Sequence, residues 1–259
     1  AITVDLHDNA NLTSFYVLPE DSSLDNILFT VNENILAVAS SDGAALYDGD
    51  WSGTLADEGF NQGEGYWVIM SGDDELSVLG TPIDPETSYS LGTGENLIGY
   101  PLNYNTALSD ALSFEANNSL VAIFGEGVSA YNYDGSGYWI GSLQYFTPNS
   151  GYWFLSDASF DFTYGSGDNL SRTASNNYIN VPKVPVNYDY TQSKKQSFYY
   201  IENVEDIEMG DWVLAYNNDI LVGARQYNGN IIDVPVMGSD NADFTVGYCE
   251  NGDIPDFKL

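Results

Sequence analysis

One series of short motifs occurs twice along this chain in the same order, and that duplication restricts the fold more than any other feature. Asn11-Leu12-Thr13-Ser14-Phe15-Tyr16 returns as Asn96-Leu97-Ile98-Gly99-Tyr100-Pro101, and Ser23-Leu24-Asp25-Asn26-Ile27-Leu28 as Ala107-Leu108-Ser109-Asp110-Ala111-Leu112. Leu36-Ala37-Val38-Ala39 matches Val121-Ala122-Ile123-Phe124, and Ser41-Asp42-Gly43 matches Gly125-Glu126-Gly127 with a small offset that sets Asp42 against Glu126. Trp51-Ser52-Gly53-Thr54-Leu55 and Gly65-Tyr66-Trp67-Val68-Ile69 return as Trp139-Ile140-Gly141-Ser142-Leu143 and Gly151-Tyr152-Trp153-Phe154-Leu155. The spacing is about 85 residues. It divides the chain into repeat module 1 (1–83), repeat module 2 (84–166), a linker (167–186) and a different C-terminal β module (187–259) whose last residues read as a strand that would continue past Leu259.

Within the modules the apolar runs are brief, β-branched or aromatic, and broken by Gly, Asn, Asp and Pro. With 20 Tyr, 12 Phe and 5 Trp in 259 residues, this pattern predicts an all-β fold: two tandem homologous β-rich modules and a third antiparallel one. Ser23 to Leu28 and Ala107 to Leu112 carry the spacing of one short helix per repeat, with Asp21-Ser22-Ser23 as a cap. Thr81-Pro82-Ile83-Asp84-Pro85 forms the joint between repeats. In the third module, strands are expected at Gln196–Ile201, Asp211–Tyr216, Ile220–Gln226, Ile231–Val236 and Phe257–Leu259. Asn217-Asn218 and Asn228-Gly229 read as hairpin turns between them.

Charge narrows the partners. Asp and Glu number 38 against 6 Lys and Arg, a formal charge of -32, and no Lys or Arg precedes Arg172. Such a surface repels phosphate backbones and anionic lipid and suits a saline medium, so neither a nucleic-acid partner nor membrane docking is expected. No apolar run approaches the length of a membrane span. One cysteine, Cys249, rules out an intrachain disulfide.

Catalytic chemistry finds no footing. His7 is the only histidine and reads as a solvated residue near the terminus; no serine elbow, phosphate loop or zinc set is present. No catalytic residue and no cofactor is therefore expected, and the protein is expected not to be an enzyme. The one metal to weigh is calcium, which takes carboxylate and carbonyl oxygens; Asp42, Asp48, Asp50, Asp211 and Asp219 are its candidate ligands, weighed against solvated turn residues. Trp67 and Trp153 are expected in the module cores, with Tyr66 and Tyr152 turned outward. Tyr131, Tyr133, Tyr138 and Tyr145 are hard to bury and offer rings beside Asn and Asp, the composition of a carbohydrate- or protein-contacting face. Arg225 is expected to pair with Asp211 or Asp233.

The paired Asn-Leu, Gly-Glu-Gly, Trp-x-Gly-(Ser/Thr)-Leu and Gly-Tyr-Trp blocks resemble repeats common in large surface and secreted proteins of marine microbes and their viruses. The third module resembles a domain often found after such repeats, through Phe198-Tyr199-Tyr200, Gly210-Asp211-Trp212, Val222-Gly223-Ala224-Arg225-Gln226, Asp233-Val234-Pro235-Val236-Met237-Gly238 and Gly252-Asp253-Ile254-Pro255. It departs from that pattern in lacking cysteines near Leu221 and Ile232. The resemblance covers nearly the whole chain and implies display on a cell, filament or virus particle. The expectation is a non-catalytic extracellular or virion-surface attachment protein, with a glycan or another surface protein as partner and a homo-oligomer as a candidate state. The alternatives are a filament or spacer subunit assembling through strand edges, and an accessory domain of a secreted polysaccharide-degrading enzyme.

Overall fold

The computed structural model describes residues 1–165, 182–202 and 205–259; the first part of the expected linker, with Arg172, lies outside them. The chain is all-β, with strands predominating and only short helices.

Module 1 comprises β1 (Ile2–Leu6), β2 (Asn9–Ser14), β3 (Val17–Leu18), α1 (Leu24–Leu28), β4 (Ile35–Ala39), β5 (Ala44–Tyr47), β6 (Trp51–Gly53), α2 (Thr54–Glu58), β7 (Gly65–Met70), β8 (Asp74–Val78) and β9 (Thr81–Pro82). Its main sheet has five strands in the order β2-β7-β4-β5-β6, and β1 pairs with β8 beside it. The joint is tied down, because β9 pairs with β3. Module 2 comprises β10 (Tyr89–Leu91), β11 (Gly94–Gly99), β12 (Thr106–Ala107), α3 (Leu108–Ala111), α4 (Phe114–Ser119), β13 (Leu120–Phe124), β14 (Ser129–Asn132), β15 (Trp139–Ile140), β16 (Tyr145–Phe146), β17 (Gly151–Ser156) and β18 (Phe160–Phe162). Its main sheet, β11-β17-β13-β14-β15, repeats the order of the first, and β10 pairs with β18 as β1 does with β8.

The repeated motifs are the framework of this fold. The Asn11 side chain accepts from the His7 amide and donates to the His7, Asn9 and Val68 carbonyls. Asn96 makes the same set with Gly92, Gly94 and Phe154. Both sheets carry a β-bulge at one site, skipping Leu36 between Ile35 and Ala37 and Val121 between Leu120 and Ala122. The Trp-x-Gly motif ends in a corner at which Gly53 and Gly141 take φ of 126° and 125°. A Cβ there would sit 2.2 Å from the Ala44 carbonyl oxygen and 2.3 Å from that of Ser129. Bulges and left-handed corners at matching places are inherited geometry, since neither is demanded by a generic sheet. Helices α1 and α3 form where the sequence places them, whereas α2 and α4 were not expected. Ser23 makes no side-chain cap; Asp21 accepts from the Ser23 amide instead.

Strand alternation was expected to put the tryptophans in the module cores and the tyrosines outward; instead the tyrosines take the core face and the tryptophans the opposite face, where Trp67 is still buried. Tyr66 and Tyr152 lie in the module cores, with hydroxyls accepting from the Asn61 and Thr147 amides at 2.8 and 2.9 Å. Their rings meet Phe60 and Phe146 edge-on at 4.8 and 4.9 Å. Trp67 and Trp153 point to the opposite face of each sheet, where a separate apolar cluster joins Ala10, Leu12, Trp67 and Ile69 to Leu97, Trp153 and Phe244. The rule of one buried face fails because these sheets are covered on both sides.

That cluster is the seam between the modules, and its hydrogen bonds are reciprocal. The Ser14 amide donates to the Asn149 carbonyl at 3.0 Å, and the Gly99 amide to the Gly63 carbonyl at 2.7 Å. Thr13 bridges Ser150 as Ile98 bridges Glu64. Residue i meets j and the repeat of j meets the repeat of i, the signature of a two-fold interface, here within one chain. Glycines pave it: a Cβ on Gly99 or Gly151 would lie 2.8 Å from the Glu64 or Thr13 carbonyl oxygen.

The third module comprises β19 (Gln196–Ile201), β20 (Trp212–Asn217), β21 (Ile220–Gln226), β22 (Ile232–Met237) and β23 (Asp256–Lys258), within two residues of their expected positions. Asn218, at φ 56°, makes the expected β20–β21 hairpin. Asn228-Gly229 does not make a second one, because β22 pairs with β19 instead. The whole of β22 is buried, and it crosses β21 with Gly223 against the Pro235 carbonyl. Burial of that apolar strand between sheets outweighs the local turn preference.

Candidate functional site

All three modules meet at the Gly125-Glu126-Gly127 turn between β13 and β14. The Glu126 carboxylate reaches module 1, with Oε1 at 2.6 Å from His7 Nε2 and Oε2 accepting from the Leu12 amide at 2.7 Å. On the other side, Gln196 of the third module donates to the Gly125 carbonyl and accepts from the Gly127 amide. Arg225 donates to the Gly127 carbonyl. The motif alignment set Glu126 opposite Asp42, whereas the turn bonds Ser40–Gly43 and Gly125–Val128 set it opposite Ser41. Module 1 therefore has no carboxylate at this place, and the bridge belongs to module 2 alone.

His7 is solvent-exposed, as expected, but its ring is also engaged by Glu126. Its pKa rises from the ordinary 6.5 to about 9, chiefly through the Glu126 hydrogen bond, with burial opposing and the Asp8 carbonyl and the Asp73 charge assisting. A raised cation pKa stabilises fully below the unfolded value and is lost as pH climbs through the folded one. Half the ring faces solvent, so screening holds the effect to about 1 kcal/mol or less. The stability difference between the wild type and Glu126→Gln, followed by urea unfolding, should shrink between pH 6.5 and 9. A difference independent of pH in that window would show that the pair contributes nothing.

Beside the turn, a buried charge cluster joins modules 2 and 3. Asp233 Oδ2 accepts from the Ser129 amide at 3.0 Å, the Ser129 hydroxyl at 2.8 Å and the Ser142 hydroxyl at 2.7 Å. Arg225 pairs with it at 3.6 Å, and both residues are buried. Of the two carboxylates expected for Arg225, Asp233 is the partner. The pair lies within the third module; the bonds of Asp233 to Ser129 and Ser142, and of Arg225 to the Gly127 carbonyl, tie it to module 2.

Aromatic rings continue this seam outward. Phe124 stacks on Phe198 at 5.6 Å, and Tyr131 meets Tyr200 at 5.3 Å. Farther out, Tyr133 and Tyr138 stand edge-to-face at 6.3 Å, 49% and 61% exposed. The Tyr133 hydroxyl donates to Glu202 at 3.2 Å, a bond that raises its pKa and keeps the phenol neutral. Asp134, in the turn between them, accepts from the Ser136 and Tyr138 amides, which orders the loop. Of the four predicted contact tyrosines, Tyr131, Tyr133 and Tyr138 share this strip. Tyr145 sits apart on β16 and lines a separate cleft. Sequence reading missed Tyr200 and Glu202, which only the docking of the third module brings to the strip.

The candidate calcium ligands are dispersed. Asp42 accepts from Ser40 and Ser41 in one turn, Asp50 from the Trp51 amide in the next, where Asp48 also lies, and Asp211 from the Glu208 amide in the third module. Asp219 is exposed in the β20–β21 turn. No group of three or more His, Cys, Asp or Glu converges on one point among the described residues. Among them, too, no helix is long and apolar enough to cross a membrane. Comparison with protein-family models, curated proteins and solved structures found no match.

Proposed function

We propose that this chain is a non-catalytic attachment protein displayed on a cell or virus particle, and that it holds carbohydrate on the Tyr133–Tyr138 strip. The exposed, edge-to-face tyrosine pair with carboxylates beside it carries this reading. Tyrosine rings offer apolar faces to the C–H side of a sugar at little entropic cost, while Glu202 and Asp134 offer acceptors to hydroxyls. Rings anchored on a seam stitched by the bonds of Asp233 to Ser129 and Ser142 and by a stacked Phe124–Phe198 pair are held in place before the ligand arrives, which favours binding. The acidic surface supports a neutral rather than an anionic glycan and a saline setting.

Screening the purified chain on a glycan array in seawater-like salt tests the proposal. Retention on neutral polysaccharides without release of shorter products is expected. Turnover of a glycan would favour the enzyme-associated alternative, and ordered fibres by electron microscopy without glycan retention would favour a filament subunit.

A further inference from the structure

The two repeats share their framework but differ, among other places, in the segment between the Gly53 or Gly141 corner and the Phe60 or Phe146 ring. Module 1 fills it with helix α2, which buries Leu55. In module 2 the segment is two residues shorter. Leu143 keeps the buried position. The chain then runs extended into β16, which pairs with β12. A cleft of about 330 Å³ opens beside it, lined by Leu12 of module 1 and by Asn105, Glu126, Val128, Gln144 and Tyr145 of module 2.

The lining has the composition of a sugar site. Leu12 and Val128 give apolar surface, and half-buried Tyr145 presents a ring. Neither the Asn105 amide nor the Tyr145 hydroxyl is engaged by another of the described residues, whereas Gln144 is held by its bond to the Gly141 carbonyl. Glu126 is the one charged residue in the lining, and His7 and the Leu12 amide occupy its oxygens. The Glu126 charge is balanced by His7, and no cation stands in the wall to hold an anionic ligand. The volume is at the small end of ligand pockets, which run from about 300 to 1,000 Å³, so it suits one ring rather than a chain.

We propose that this cleft binds a single neutral sugar residue, with Tyr145 as its stacking face and the Asn105 and Gln144 amides on its hydroxyls. The site is distinct from the Tyr133–Tyr138 strip, while its ligand class rests on the carbohydrate reading. The scaffold occurs twice, and the copy that carries the cleft has no helix in this segment.

Saturation-transfer NMR on the full chain with glucose, galactose, mannose, N-acetylglucosamine and glucuronate tests this. At least one neutral sugar should bind, with glucuronate silent. Tyr145→Ala should weaken binding about tenfold, the loss of roughly one stacking contact. Asn105→Ala should weaken it as well, and serves if Tyr145→Ala fails to fold. Glu86→Ala, at an exposed position outside both the cleft and the strip, should bind the monosaccharide as the wild type does. Binding of none of the neutral sugars, preference for glucuronate, or wild-type binding by both cleft variants would overturn the proposal. Failure of the strip would register separately, as polysaccharide retention that survives loss of Tyr133 and Tyr138.

Discussion

Asp233→Ala should lower the free energy of unfolding by about 3–5 kcal/mol, the cost of breaking a buried ion pair from one side. The size follows from what the carboxylate holds. Arg225 would be left buried without its counter-charge, and the Ser129 amide and the Ser129 and Ser142 hydroxyls would each lose an acceptor. Buried donors without partners cost the full desolvation of each group. Asp233→Asn keeps the shape and an acceptor, so it should recover part of the loss. Urea unfolding of the three proteins side by side measures this, and a loss under about 1 kcal/mol for the alanine variant would mean that the seam is solvated and the cluster weak.

Gly53→Ala and Gly141→Ala should each destabilise by about 3 kcal/mol or more, and by similar amounts. Each glycine sits at φ near 125°, where side chains are strained, and each would press a Cβ to within 2.3 Å of a backbone oxygen. A backbone oxygen cannot step aside as a flexible side chain can. Equal losses in thermal unfolding would show the corner performing one role in both repeats. A tolerated substitution in one repeat only would mean that its corner has relaxed since the duplication.

The duplication, one short helix per repeat and the strands of the third module were legible because they are local: turn residues and short apolar runs leave period and punctuation in the sequence. What escaped was set by contacts across modules. Trp67 and Trp153 alternate with Tyr66 and Tyr152, and alternation tells two faces apart without saying which is inside when both are covered. Asn228-Gly229 has the local chemistry of a hairpin, yet β22 finds its hydrogen bonds on β19. The pairing of His7 was not legible because its partner, Glu126, lies 119 residues away. Of the candidate site, the tyrosines could be named from composition, but Glu202 and Tyr200 join them only through the docking of the third module, for which Arg225 and Asp233 were the sole legible hint.

Retention of the full chain on its best array polysaccharide, wild type against a Tyr133→Ala, Tyr138→Ala double variant, tests the attachment reading most directly. Both rings are largely exposed, so the variant should fold with an unchanged thermal midpoint. It should lose retention by about ten- to a hundredfold, two stacking contacts at roughly 0.5–1.5 kcal/mol each. Retention equal to that of the wild type would contradict the attachment reading and move the binding surface elsewhere on the molecule.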